Sequence, residues 1–135
     1  TDASGLTLDP IVDSAFAGRA AEVEATFAKA MAAGLNSGFI IMTAQRQAAA
    51  LHKARLAIEE GRSELDALES GFPRLHFSRK TMVETALRNT SADRLMRAIT
   101  QLADAAFDMR RQSSLADVIA QRALLAIAVN ARRRG

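Results

Sequence analysis

The sequence predicts an all-α fold, a compact bundle of about seven helices in one domain. Three observations predict it. Apolar residues recur at three- and four-residue spacing along nearly the whole chain, and no stretch alternates with period two. Glycines and short Ser/Asn/Pro clusters interrupt that pattern at regular intervals. A length of 135 residues suits one domain with a real core. Apolar residues make up 49% and aromatics only 4%. Such a core is built from Leu, Ile, Val, Met and Ala, and its helices can approach closely.

Residues 1–7 are expected to be linker. Asp9 is a good N-cap and Pro10 suits the first helical position. Leu8, Ile11, Val12, Ala15 and Phe16 share one face, and Gly18 ends the helix. A second helix is expected over 20–33, with Val23, Phe27, Ala30 and Met31 inward and Gly34 closing it. Residues 34–38 form a turn with glycine at both ends. It is no phosphate loop, because Phe39, Ile40, Ile41 and Met42 follow where Lys and Ser/Thr are required.

A long helix follows from about Ser37 to Glu60. Ile40, Ala44, Leu51, Ala54 and Ile58 mark its inner stripe, and Gln47 lies on the same line. Gly61 stops it. Ser63 to Asp66 resembles a capping box for a short helix through Glu69. Gly71, Phe72 and Pro73 break the chain again. Ser78 is expected to cap the next helix, which buries Met82, Val83, Ala86 and Leu87. His76 beside Phe77 is expected to anchor the preceding turn. Ser91 caps another helix, with Asp93 in its first turn and Leu95, Ile99, Leu102, Ala106 and Met109 inward. Ser113 and Ser114 interrupt, and Ser114 to Asp117 again resembles a capping box. In the last helix Leu115, Val118, Ile119, Leu124, Leu125, Ile127 and Val129 wrap most of the way round. That helix is therefore central, or shared with a partner.

Net charge is +3, unevenly placed. Residues 1–72 carry 6 basic and 10 acidic side chains, net −4; residues 73–135 carry 12 and 5, net +7. The basic half suits phosphates or an acidic protein surface. Arg74, Arg79 and Lys80 cluster near one helix start, and Arg132, Arg133 and Arg134 form a basic tail. These six are candidate DNA or partner contacts. Such residues hold phosphates without reading sequence, and no aromatic platform accompanies them for stacking bases. Leu124, Ile127 and Val129 are the candidate subunit-interface residues.

No catalytic, metal or cofactor set is expected. His52 and His76 have no second His or carboxylate at ligand spacing. The motifs of serine hydrolases, zinc proteases and nucleotide-binding loops are missing. The carboxylates around Glu59, Glu60, Glu64 and Glu69 sit at polar helix ends, not in a pocket that would raise a pKa. With no cysteine there is no disulfide framework, which fits a reducing compartment. No apolar run approaches the ~20 residues of a membrane span, and no signal-peptide pattern opens the chain. Thr1 in place of an initiator Met predicts a processed chain or a piece of a longer one.

The order of these features resembles the C-terminal part of the delta subunit family of the bacterial DNA polymerase III clamp loader. Leu8 to Gly18 (LDPIVDSAFAG) looks like the segment entering that family's last domain. Met31 to Gly34 and the long helix with Gln45 and Arg46 match the next landmarks. Leu75 to Lys80 (LHFSRK) resembles its His/Phe-x-Arg/Lys stretch. Ser91 to Leu95 and Leu102 to Asp104 resemble the helix after it. Where the family often has Lys, this chain has Arg110 and Arg111, which keeps the charge. The likeness spans essentially the whole chain.

The resemblance implies a helical collar domain that holds the delta subunit beside delta-prime and gamma/tau during DNA replication in the cytoplasm. Two preceding AAA+ domains would belong to the full subunit, and clamp opening to the first of them. The piece itself would neither hydrolyse ATP nor open the clamp, and would meet DNA only through the assembled loader. The alternative from the residues alone is an independent helical DNA-binding protein that uses the basic half.

Overall fold

Gly18, Gly34 and Gly61 take φ of 83°, 81° and 104°, the left-handed conformation open to a residue without Cβ. Each ends a helix in the same way. The residue after the glycine donates five back: Arg19 to Ser14 O at 2.9 Å, Leu35 to Ala30 O at 3.0 Å and Arg62 to Ala57 O at 3.0 Å. The glycine itself donates three back, so each terminus is a Schellman motif.

The computed structural model describes residues 3–132, and the side chains of residues 8–131. Within them lie seven α-helices and no strand. They are α1 Ala3–Phe16, α2 Ala20–Ala32, α3 Ser37–Glu59, α4 Glu64–Gly71, α5 Phe77–Asn89, α6 Ala92–Arg111 and α7 Ala116–Arg132. A 3₁₀ turn, Ser113–Leu115, leads into α7.

The caps follow the sequence at Ser63 and Ser91, depart from it in three places, and include Asn36, which the sequence alone places in a turn. Asn36 accepts from Gly38 N at 2.7 Å, Ser63 from Asp66 N at 3.1 Å and Ser91 from Arg94 N at 3.2 Å. At α5 the cap is His76, not Ser78: its Nδ1 accepts from Ser78 N at 3.1 Å. The Ser78 hydroxyl lies 2.7 Å from the same nitrogen, and Phe77 stacks on the imidazole at 4.6 Å between ring centroids. His76 thus anchors the turn, and its ring nitrogen does what a serine oxygen does elsewhere. Ser114 does not open α7 as a cap; it lies inside the 3₁₀ turn. Lastly, α1 starts at Ala3 rather than at Pro10. Pro10 stands about two turns inside the helix, where it withholds one backbone bond. Residues 3–7 are therefore helical backbone.

One core joins all the helices. Ile11, Val12, Val23, Ile40, Leu51, Val83, Leu87, Leu95, Leu102 and Leu124 are fully buried. The most extensive helix contact is α3 against α6. α7 packs against α1, α2, α3 and α6, so it is a central element. The inward line of α6 is Leu95, Ala98, Leu102, Ala105 and Met109. Ile99 and Ala106, both expected inside, are only partly buried and flank that line. At Gly71 α4 comes close to α3: a Cβ there would sit 3.1 Å from Ala50 O.

α7 and the turn before it, Ser113–Ala131, are long and apolar enough by composition to cross a membrane. This corrects the reading that no stretch reaches that length. Only Asp117 and Arg122 carry charge in that stretch, and its inner face is committed to the bundle.

Among the described residues one buried side-chain polar atom lacks a partner, Thr90 Oγ1 at the end of α5. A hydroxyl kept from water without a partner costs about 1–3 kcal/mol. Thr90→Val keeps the shape and removes that cost. It is expected to stabilise the chain by about 1 kcal/mol, read as a higher urea midpoint at unchanged slope.

Candidate interaction surfaces

Asp13 lies in an apolar run, between Val12 and Ala15, and the α1 face that buries Ile11 and Val12 takes its carboxylate inside as well. Its side chain is only 4% exposed. Three groups satisfy it. Gln47, on the inner stripe of α3, donates from Nε2 to Oδ1 at 2.6 Å. Arg79, in the first turn of α5, donates from Nε to Oδ2 at 2.9 Å and from its terminal nitrogen to Oδ1 at 3.0 Å. The same arginine donates to Gln47 Oε1 at 2.7 Å, and Asp9 adds a longer ion pair at 3.7 Å. The result is a closed polar junction of α1, α3 and α5 inside an otherwise apolar seam.

Electrostatics follow from this geometry. The Asp13 hydrogen bond, above all, raises the Arg79 guanidinium pKa above its ordinary value. Burial holds the Asp9 carboxyl above the usual carboxylate value, Arg79 opposes that rise, and Asp13 adds to it. Arg79 was a candidate DNA or partner contact. Its Nε and one terminal nitrogen are instead hydrogen-bonded to residues of its own chain, and the other terminal nitrogen faces Asp9 at 3.7 Å. The physical reason is that an arginine fork beside a buried carboxylate is held there far more strongly than at a solvated surface.

Arg74 and Lys80 remain exposed. They border a shallow groove of about 420 Å³ between α4 and α5, together with Glu69, Phe72 and Pro73. Arg74 stands at φ 64°, a left-handed position rarely taken by a side-chain-bearing residue. Nearby, Arg88 forks onto Glu64 at 2.9 and 2.8 Å and ties α5 to α4. That hydrogen bond holds the Glu64 carboxyl below its usual value. Arg132 is the last residue of α7, and its side chain, with Arg133 and Arg134, lies outside the described residues.

The three interface candidates on α7 divide. Leu124 is fully buried and Ile127 is 4% exposed, so both belong to the core and not to an outer interface. Val129 is 44% exposed. It continues a stripe that Leu115 and Val118 begin, both about half exposed, with Leu125 partly buried between. At the start of that stripe lies a groove of about 690 Å³ between the α2–α3 turn, α6 and α7. Ile41, Met42, Ala106 and Met109 line it with apolar surface, and Gln45, Arg110 and Asp117 add polar groups. Phe39, one turn from Met42 on α3, is 60% exposed.

Sequence reasoning missed Asp13, took Asp9 for an N-cap, and named Leu115 and Val118 among the apolar residues of the last helix without separating its exposed side from its buried one. A signal was there for Asp13, a lone carboxylate within Ile11–Phe16. Gln47 was seen on the inner stripe but without a partner. Among the described residues no group of His, Asp and Glu is arranged to hold a metal. No protein-family model, no curated protein and no solved structure matches the chain.

Proposed function

We propose that the chain is a protein-binding helical module, the collar-like domain of a clamp-loader delta subunit, acting in DNA replication. It holds its subunit beside delta-prime and gamma/tau through apolar helix surface, and its polar groups carry out no reaction. The observation that carries this reading is the second apolar face of α7. A helix that served only its own core would place polar residues outside. Here Leu115, in the turn before α7, and Val118 and Val129 on α7 stand exposed on one side of the helix with Arg122 between the two valines, next to a groove lined by both apolar and polar groups. Surfaces of this kind mark protein contacts. The order of sequence landmarks from Leu8 to Asp104 supports the choice of family.

The test is assembly. The chain joined to its two AAA+ modules is mixed with delta-prime and gamma/tau, and complex formation is followed by native mass spectrometry. Association is expected, and Val118→Glu with Val129→Glu is expected to abolish it while leaving the helical circular dichroism unchanged. No complex with the unaltered chain would remove the reading. Direct DNA binding is the second reading, favoured by Arg74 and Lys80, which stand exposed beside one groove. It requires duplex binding that weakens steeply with salt, and a flat low-salt titration of the chain alone would rule it out.

A further inference from the structure

The outer ridge of α6 is a second unpartnered surface, separate from the α7 stripe. Met96, Thr100, Ala103, Phe107 and Arg111 follow one another at spacings of four, three, four and four, so they form one line on the helix. That line lies opposite the buried one of Leu95, Ala98, Leu102, Ala105 and Met109. Met96 is 47% and Phe107 53% exposed. The Arg111 guanidinium sits 5.6 Å from the Phe107 ring centroid, which places its charge on the same ridge. Asp93 continues the line at the other end.

We propose that this ridge is the contact between two copies of the chain, which pair through α6 antiparallel about a two-fold axis. The ridge is complementary to itself. With the axis between Gln101 and Leu102, Met96 of one copy lies level with Phe107 of the other. The small residues Thr100 and Ala103 meet at the centre and let the helices approach. Asp93 of one copy lies within a residue of Arg110 and Arg111 of the other, and the symmetry repeats that pair at the far end. Arg97 stands within a turn of Asp104 in the same way. A two-fold contact requires this: each position must suit its own mirror partner in the sequence. The ridge meets its own requirement in its apolar anchors, its small centre and its terminal charges. Among the described residues, no ion pair within the chain occupies Asp93 or Arg111. Both charges are available across the axis. One helix against one helix is a small interface, so the pairing is in the weak, concentration-dependent class.

Sedimentation equilibrium of the 135-residue chain over a wide concentration range tests this. A monomer–dimer equilibrium is expected. Phe107→Glu should weaken it at least about tenfold. Asp93→Arg and Arg111→Asp should each weaken it, and the two together should restore it, because the pair is rebuilt with its signs exchanged. The chain has no cysteine, so Thr100→Cys adds a single thiol near the axis. It should form an intermolecular disulfide under oxidation, whereas Ser70→Cys on exposed α4 should not. A monomer at every concentration would overturn the proposal. So would a dimer indifferent to these substitutions, or a ridge that binds only a different protein. None of these results depends on whether the chain joins a clamp loader.

Discussion

Arg79→Ala is expected to destabilise the chain by about 3 kcal/mol, the scale of removing one partner from a buried ion pair. For a domain of this size that lowers the melting temperature by roughly 10 °C. The loss is large because Asp13 stays behind, 4% exposed, with Gln47 as its one remaining close side-chain donor among the described residues. Arg79→Lys should recover little of it. An ammonium cannot reproduce two parallel bonds to Asp13 and a third to Gln47 in one plane. The combined replacement Asp13→Leu, Gln47→Leu and Arg79→Met should recover most of the stability, since it removes the buried charge rather than orphaning it. Calorimetry of the three variants separates the cases. A loss below about 1 kcal/mol for Arg79→Ala would place the junction among ordinary surface pairs.

The pH dependence of the same variant has a definite sign. Asp9 has a carboxyl raised above its unfolded value by burial, with Arg79 opposing the rise. A raised carboxyl binds its proton more tightly in the folded chain, so its contribution falls as pH rises from the unfolded to the folded pKa. Without Arg79 the Asp9 carboxyl rises further. The stability deficit of Arg79→Ala relative to the unaltered chain should therefore grow as pH rises through the carboxylate range. A deficit that shrinks with rising pH would contradict this account of Asp9.

Leu124→Ala is expected to cost about 3 kcal/mol, because a fully buried leucine leaves both lost contacts and a cavity. Its position makes collapse around the hole difficult, since α7 is held by α1, α2, α3 and α6. Val129→Ala, five residues on but 44% exposed, should cost less than about 0.5 kcal/mol. Urea unfolding of the two variants checks the pair. The ratio matters more than either value: equal losses would mean that the buried and open faces of α7 are not the ones assigned. Under the proposed function the order reverses for assembly. There Val129, with Val118, is the residue whose change is felt.

Much of the site was visible in the sequence in fragments. Gln47 lay on an apolar stripe, Arg79 opened a helix and Leu124 and Val129 lay on an apolar helix. Nothing local joined them. Arg79 meets Asp13 across 66 positions and Gln47 across 32. The split between Leu124 and Val129 was equally hidden. When apolar residues surround a helix, periodicity has no phase to report, and only the packing of its neighbours chooses a face. His76 shows the same limit on a smaller scale: Ser78 is the residue type favoured at a cap, but the imidazole two positions earlier took the role.

What the sequence determined by itself was the set of helices and most of their ends. The glycines at 18, 34 and 61 and the side chains of Ser63 and Ser91 act on backbone groups within five residues, so neighbours along the chain suffice to decide them. Tertiary structure alone decided which apolar face of α7 is core and which is open, and that Arg79 is an internal clamp rather than a surface charge. Those outcomes depend on how α1, α3, α5 and α6 cross one another in space. A side chain takes whichever partner the crossing brings within reach, and the order of residues does not record that distance.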